Sequence, residues 1–276
     1  MTIYMFPGQG SQVKGMGVDL FSQFPQQVKQ ANELLGYSIE ELCINDPKQQ
    51  LGNTEYTQPA LYVVEGLTFL AKNRDDLKLQ YCIGHSLGEY TALFAAGAFD
   101  FITGLKLVKK RGELMAQVRG GGMLAVIGLP LERIKSILQE HGLDAIDYAN
   151  FNSSNQIVIS GVADDINHAQ DILAKEASMC VPLRVSGAFH SRYMQSMANE
   201  FEQFIAPFEL MPLHTEVISN VTAQPYIQKT MKEYLVKQLT SPVRWAETIS
   251  YLKNKGESEF IEIGPGSVLT RLMKQN

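Results

Sequence analysis

Gly84-His85-Ser86-Leu87-Gly88 sets a serine between two glycines, the Gly-x-Ser-x-Gly pattern of a nucleophile elbow. The run before it, Gln80-Tyr81-Cys82-Ile83, reads as a buried strand, and Glu89 to Ala96 reads as a helix. In that setting the glycines allow a tight turn that a Cβ would block, with the hydroxyl at its tip. The start of the helix then offers unpaired N–H groups, that of Leu87 among them, where an oxyanion would form. The chemistry this suits is attack by an activated serine on an acyl carbon. The same five residues also fit a plain glycine-rich turn with a serine helix cap, so the choice depends on what else reaches the turn.

A serine nucleophile needs a base, and the chain has five histidines. His85 adjoins Ser86, and neighbouring side chains in such a turn point apart. His141 and His168 lie in polar helical segments and read as surface residues, and His214 precedes a strand with no motif near it. His190 follows Val185-Ser186-Gly187-Ala188-Phe189, where the chain returns from one structural unit to another. A cleft between two units would set it beside a ligand, and a hydrogen-bonded interface histidine is the alternative. Gln9 lies in the glycine-rich turn after the first strand. Ligands of α/β sheets gather at the carboxyl ends of strands, so a donor there can complete an oxyanion hole with Leu87, although a simple turn also explains it.

Lys109-Lys110-Arg111 has the look of a solvated charge run. On a helix whose core face is Phe101, Leu105, Val108 and Met115, Lys110 falls opposite the apolar stripe and Arg111 falls at its edge. An arginine at that edge can bury its stem and aim its planar fork at a carboxylate in a cleft. A surface ion pair is the competing reading.

The elements that must hold these residues follow from periodicity. Ile3–Phe6 reads as a strand, about 17–35 as one helix, Pro59 as a helix start and about 100–118 as a further helix. Gly120-Gly121-Gly122 marks a change of character. From Met123 to Val185 the order strand, helix, strand, strand, helix, strand is the ferredoxin-like signature. Helices near 194–205 and 230–239, a strand at 259–263 and a last helix after Gly264-Pro265-Gly266 complete the pattern. The expected fold is α/β, a hydrolase-like core with a mostly parallel sheet carrying an inserted ferredoxin-like subdomain. The expected boundaries are 1–119 and 195–276 for the core and 120–194 for the insert.

A chain of 276 residues can bury a sizeable core, and its net charge of −5 argues against nucleic acid or an anionic membrane as the main partner. An acidic carrier protein can still dock on a local basic patch. The three cysteines are scattered and form no metal-binding spacing, so no structural metal and a reducing compartment are expected. Met1-Thr2-Ile3-Tyr4-Met5-Phe6 lacks the basic leader of a signal peptide, and no apolar run reaches membrane-spanning length. The expected location is the cytoplasm.

In one order stand Phe6-Pro7-Gly8-Gln9-Gly10-Ser11-Gln12, Thr57-Gln58-Pro59-Ala60, the elbow with Glu89-Tyr90, and Arg111-Gly112. After them come Asn150-Phe151-Asn152-Ser153, Phe189-His190-Ser191, Ser241-Pro242-Val243-Arg244-Trp245 and Glu262-Ile263-Gly264-Pro265-Gly266. This resembles the malonyl-CoA:acyl-carrier-protein transacylases along nearly the whole chain, and it is similar to the stand-alone acyltransferases that load polyketide synthases. The resemblance implies Ser86 as nucleophile, His190 as base, and the main-chain carbonyl of Gln238 as the group that orients His190. It implies Gln9 and Leu87 as the oxyanion hole and Arg111 as the holder of the malonyl carboxylate. Gln58 and Asn152 match site-lining positions, and the aromatic Phe189 matches a malonyl-selective pattern. The implied substrates are malonyl-CoA and a carrier protein's phosphopantetheine thiol, in polyketide or fatty-acid synthesis, with no cofactor and with a monomer as the working unit. An acyl hydrolase that clears carrier proteins is the alternative, and a non-catalytic docking module is a third reading.

Overall fold

The computed structural model describes residues 2–72 and 79–276. β1 (Thr2–Phe6) leads to α1 (Val18–Phe21), α2 (Pro25–Leu35), α3 (Ile39–Ile44) and α4 (Thr54–Lys72). β2 (Leu79–Gly84), α5 (Gly88–Ala95) and α6 (Phe101–Gln117) come next. Then β3 (Gly121–Ile127), α7 (Leu131–Glu140), β4 (Asp147–Ser153), β5 (Gln156–Val162), α8 (Ala163–Leu173) and β6 (Met179–Pro182) form a β-α-β-β-α-β run. α9 (Gln195–Ile205), β7 (Glu216–Ile218), α10 (Met231–Lys237), α11 (Trp245–Asn254), β8 (Glu259–Glu262) and α12 (Val268–Met273) follow.

One sheet has the order β7-β2-β1-β8 with every pairing parallel. Its strands are short apolar runs because both faces are covered. Tyr4, Phe6 and Cys82 face the cluster built on α4, α5 and α6, while Ile3, Met5 and Ile83 face Trp245, Ile249 and Leu269 of α11 and α12. The second sheet has the order β4-β5-β3-β6 and is antiparallel. That is the strand order expected of a ferredoxin-like unit. Alternation along its strands separates two faces. Leu124, Val126, Ile157 and Ile159 pack on Ile134 of α7 and Ile166 of α8. Met123, Ala125, Val158 and Val181 look the other way, into a cavity. The two sheets are tied where Phe151 N–H donates to Val243 O at 2.9 Å and Val243 N–H donates to Ala149 O at 2.8 Å.

The elements differ from the expectation in four places. The helix expected over 17–35 is two helices, since Pro25 has no N–H to donate to the preceding turn and instead opens α2. Pro59 lies inside α4 rather than at its start. The helix continues through it because Ala60, Leu61, Tyr62 and Val63 are fully buried and outweigh one lost hydrogen bond. α3, and α11 with its buried Trp245, had no counterpart in the reading of the sequence. Among the described residues, no helix is long and apolar enough to cross a membrane.

Candidate active site

β2 ends at Gly84 and α5 begins at Gly88, so Ser86 stands on the turn between them with φ of +52°. A Cβ on Gly84 would lie 2.0 Å from the Gly88 carbonyl carbon, and one on Gly88 would lie 2.0 Å from the Phe6 carbonyl oxygen. The turn is thus closed so tightly that only glycine fits at either end. A left-handed non-glycine residue costs about 1–3 kcal/mol and persists only where its surroundings hold it. Asn220 does so: Ser86 N–H donates to its Oδ1 at 2.8 Å, and its Nδ2 donates to Gly84 O at 2.7 Å. Gln238 Nε2 donates to Ser86 O at 2.9 Å from the other side.

Ser86 Oγ lies 2.7 Å from His190 Nε2. His190 Nδ1 lies 2.8 Å from Gln238 O and 3.2 Å from Ser241 O. A carbonyl can only accept, so Nδ1 carries the proton and Nε2 is left to accept the serine hydroxyl. Burial, and next the charge of Arg111, lower the His190 pKa to about 3, against the two carbonyl bonds that raise it. The imidazole is therefore a neutral base aimed at the serine. Like Ser86, His190 has a left-handed backbone, with φ of +57°.

Arg111 is 1% exposed, so the stripe-edge geometry resolves to burial rather than to a surface ion pair. Its Nη2 donates to Ser86 Oγ at 3.1 Å and to Gln238 Oε1 at 2.9 Å, and its Nη1 donates to Gln58 Oε1 at 2.8 Å. The Tyr90 ring lies 5.5 Å from the guanidinium carbon. Lys109 pairs with Glu113, and Lys110 is half-buried over the Phe204 ring rather than free in solvent.

The turn carrying Gln9 lies against the elbow, as His85 N–H donates to Phe6 O at 3.0 Å. Gln9 Nε2 donates to Thr54 Oγ1 at 3.2 Å, which directs the side chain toward α4. Among the described residues, the backbone N–H groups of Gln9 and Leu87 have no acceptor. Two free donors beside an activated serine are the equipment of an oxyanion hole. His85 turns away from His190, and its Nε2 lies 2.9 Å from Asn152 Oδ1 on β4. Phe189 is buried next to His190. His141, His168 and His214 are exposed.

Of the residues expected at the site from the sequence, all except Gln238 line one cavity of about 450 Å³, within the usual range for small-molecule sites. The charged and polar atoms form its floor. The open face of the antiparallel sheet forms one wall, and Leu269, Arg271 and Leu272 of α12 form another. The reading of the sequence missed Asn220 and Glu89, both buried beneath the elbow. Glu89 Oε1 accepts from Asn220 N–H at 2.8 Å and from Tyr226 Oη–H at 2.9 Å, and its Oε2 accepts from Gln238 Nε2. Burial raises its pKa to about 7, against those bonds and the charge of Arg111. The hints in the sequence at Glu89 were a carboxylate inside the otherwise apolar helix Gly88–Ala95 and its place beside the elbow in the motif set that carries the resemblance.

Residues 3–276 match the family model of the acyl transferase domain. The chain is 52% identical to the polyketide biosynthesis malonyl CoA-acyl carrier protein transacylase BaeC of Bacillus velezensis, over 99% of this chain and 96% of that protein. It superposes with a TM-score of 0.96 on a malonyl CoA-acyl carrier protein transacylase from Burkholderia pseudomallei, at 47% identity and over 100% and 97% of the two chains. A malonyl-transacylase solved in complex with its type II polyketide synthase acyl-carrier protein gives a TM-score of 0.93 at 35% identity, over 99% and 92% of the chains.

The buried base makes stability depend on pH in a defined direction. His190 falls from 6.5 in the unfolded chain to about 3 in the folded one. Between those values the unfolded chain binds a proton that the folded chain does not, so this group makes stability rise with pH and levels off above 6.5. A His190→Gln variant lacks that slope. Urea unfolding below about pH 6.5 should show the unsubstituted protein losing up to about 1.4 kcal/mol per pH unit more than the variant. Parallel curves would mean that His190 stays protonatable in the folded state.

Proposed function

As this chain belongs to the malonyl-CoA:acyl-carrier-protein transacylases of the acyl transferase family, we propose that it moves a malonyl group from malonyl-CoA to the phosphopantetheine thiol of an acyl carrier protein. One observation carries this reading. A fully buried guanidinium with no carboxylate partner among the described residues stands 3.1 Å from the hydroxyl of the elbow serine. An acyl group ending in a carboxylate satisfies that charge while its thioester carbon meets Ser86.

In the first half-reaction Ser86 Oγ attacks the thioester carbonyl and its proton passes to His190 Nε2. The oxyanion is received by the N–H groups of Gln9 and Leu87. Collapse breaks the C–S bond, and the coenzyme A thiolate takes the proton from His190. The malonyl-serine ester remains. In the second half the carrier's thiol gives its proton to His190 and attacks the ester, and Ser86 leaves with that proton restored. Met123, Ala125, Val181 and Leu183 offer an apolar wall to the pantetheine arm that donor and acceptor share. An acyl hydrolase would need no guanidinium for a substrate carboxylate, and Arg111 weighs against it.

Two likenesses support the partner and the pathway: the relative solved with its polyketide carrier protein, and the relative named for polyketide biosynthesis. We therefore assign carrier domains of a polyketide synthase as acceptors. We further take a single chain as the active unit. Residues 1–119 and 195–276 form the hydrolase-like core, and 120–194 are an insert that supplies a cavity wall and, where it returns to the core, His190. Cys43, Cys82 and Cys180 are free thiols, which suits a reducing cytoplasm.

Intact-mass spectrometry after mixing with malonyl-CoA should show a malonyl adduct that Ser86→Ala abolishes. Undiminished adduct on that variant removes Ser86 from the nucleophile role. Arg111→Ala should lose malonyl transfer by about 10–100-fold, the effect of a charge-assisted pair, while acetyl transfer persists. Equal losses with both donors would assign Arg111 to folding or docking. Phe189 leaves little room for a branch at the acyl C2, so malonyl-CoA should win over methylmalonyl-CoA by about 10–200-fold, the usual range for one carbon. Phe189→Ser should narrow the gap, and an unchanged ratio in competition assays would move selectivity to another residue.

A further inference from the structure

Glu89 touches neither the cavity nor the serine, yet it stands one hydrogen bond from the groups that hold the other parts of the site. Its Oε2 accepts from Gln238 Nε2. The same amide donates its other N–H to Ser86 O at 2.9 Å and accepts from Arg111 Nη2 on its Oε1 at 2.9 Å. Both N–H groups and the oxygen of that amide thus have partners, and its orientation is set by two acceptors on the nitrogen side. Turned over, it would present oxygen to a carboxylate and a carbonyl, and N–H groups to a guanidinium. Glu89, Gln238 and Arg111 are each 0–1% exposed, so water cannot substitute for a lost partner.

We propose that Glu89 is a positioning residue for the acyl carboxylate subsite, acting through the Gln238 side chain to hold the Arg111 guanidinium where a donor's carboxylate meets it. The proposal rests on the malonyl-transfer reading above. It separates two jobs within Gln238: the backbone carbonyl orients the base, and the side chain orients the clamp. It also accounts for a buried carboxylate that accepts from Asn220, Tyr226 and Gln238 rather than from a cation, since a direct Glu89–Arg111 pair would consume the N–H groups the substrate needs. With Gln238 between them, Glu89 supplies a counter-charge and an orientation while leaving Arg111 open.

The test compares kcat/KM for malonyl-CoA and acetyl-CoA, each followed by loading of a phosphopantetheinylated carrier protein. Glu89→Gln sets an N–H against the Gln238 amide or strips the bonds to Asn220 and Tyr226. The malonyl:acetyl ratio should fall about 10–100-fold, the range for a lost hydrogen bond at a charged group. In an Arg111→Ala background the same substitution should leave the ratio unchanged, because the two act in series. Gln238→Met keeps the backbone carbonyl and removes the amide. It should reproduce the ratio change if Glu89→Gln proves too unstable to assay. A parallel fall with both donors would assign Glu89 to the elbow through Asn220 and overturn the proposal. So would a ratio that shifts equally with and without Arg111. If Arg111→Ala alone leaves the ratio untouched, the malonyl reading of the site fails instead.

Discussion

Arg111 is a full positive charge, 1% exposed, in a core that gives it dipoles but, among the described residues, no carboxylate in direct contact. A buried charge left unpaired costs several kcal/mol. Burial does lower the pKa of the guanidinium, with Tyr90 and Glu89 acting the other way. Much of the surrounding structure answers that one constraint. Gln58 comes from α4 and Gln238 from beyond α10 to accept from it, and the Ser86 hydroxyl accepts as well. The free protein thus holds an electrostatic strain next to Ser86 Oγ, which the carboxylate of the proposed malonyl substrate would relieve. Relief of that strain on donor binding would also lift part of the repulsion that lowers the His190 pKa, making the base stronger when it is needed.

The site also stores backbone strain at Ser86 and His190, the proposed nucleophile and base. Ser86 and His190 have φ of +52° and +57°, in the region that favours glycine. Neither is glycine because each must carry a side chain. The strain at Ser86 is held by Asn220 and Gln238, and the position of His190 by the carbonyls of Gln238 and Ser241. Gln238 appears in both sets. A triad carboxylate would fix the imidazole tautomer and stabilise its charged form. A carbonyl fixes the tautomer equally well but adds no full negative charge, which agrees with a base whose resting pKa is low.

The antiparallel sheet has one face buried on α7 and α8 and the other left to the cavity. Such a face would be a liability on an isolated unit. Here it becomes a wall opposite α12, and the links between β4 and Val243 set the spacing of that wall from the elbow. The His85–Asn152 bond, at 2.9 Å, joins the same two units directly beside the nucleophile. In the proposed reaction the acyl chemistry takes place on one sheet and the arm of the substrate runs along the other.

What could be read from the chain alone was what depends on neighbours in sequence. The elbow is legible because its physics is local: two glycines, a strand before and a helix after. Alternation and helical spacing likewise give the order of elements, including the β-α-β-β-α-β run. Local rules failed where packing overruled them, as at Pro59 within α4. They were also silent about pairings across the fold. Ser86 and His190 are 104 residues apart, and Arg111 and Gln238 are 127 apart. Whether a stripe-edge arginine meets solvent or a nucleophile depends on which helix packs beside it. That depends on sheet order, which no window of sequence contains. Glu89 makes the point most sharply: in sequence it is one charge in an apolar helix, and only tertiary packing surrounds it with Asn220, Tyr226 and Gln238 and so makes it part of the site.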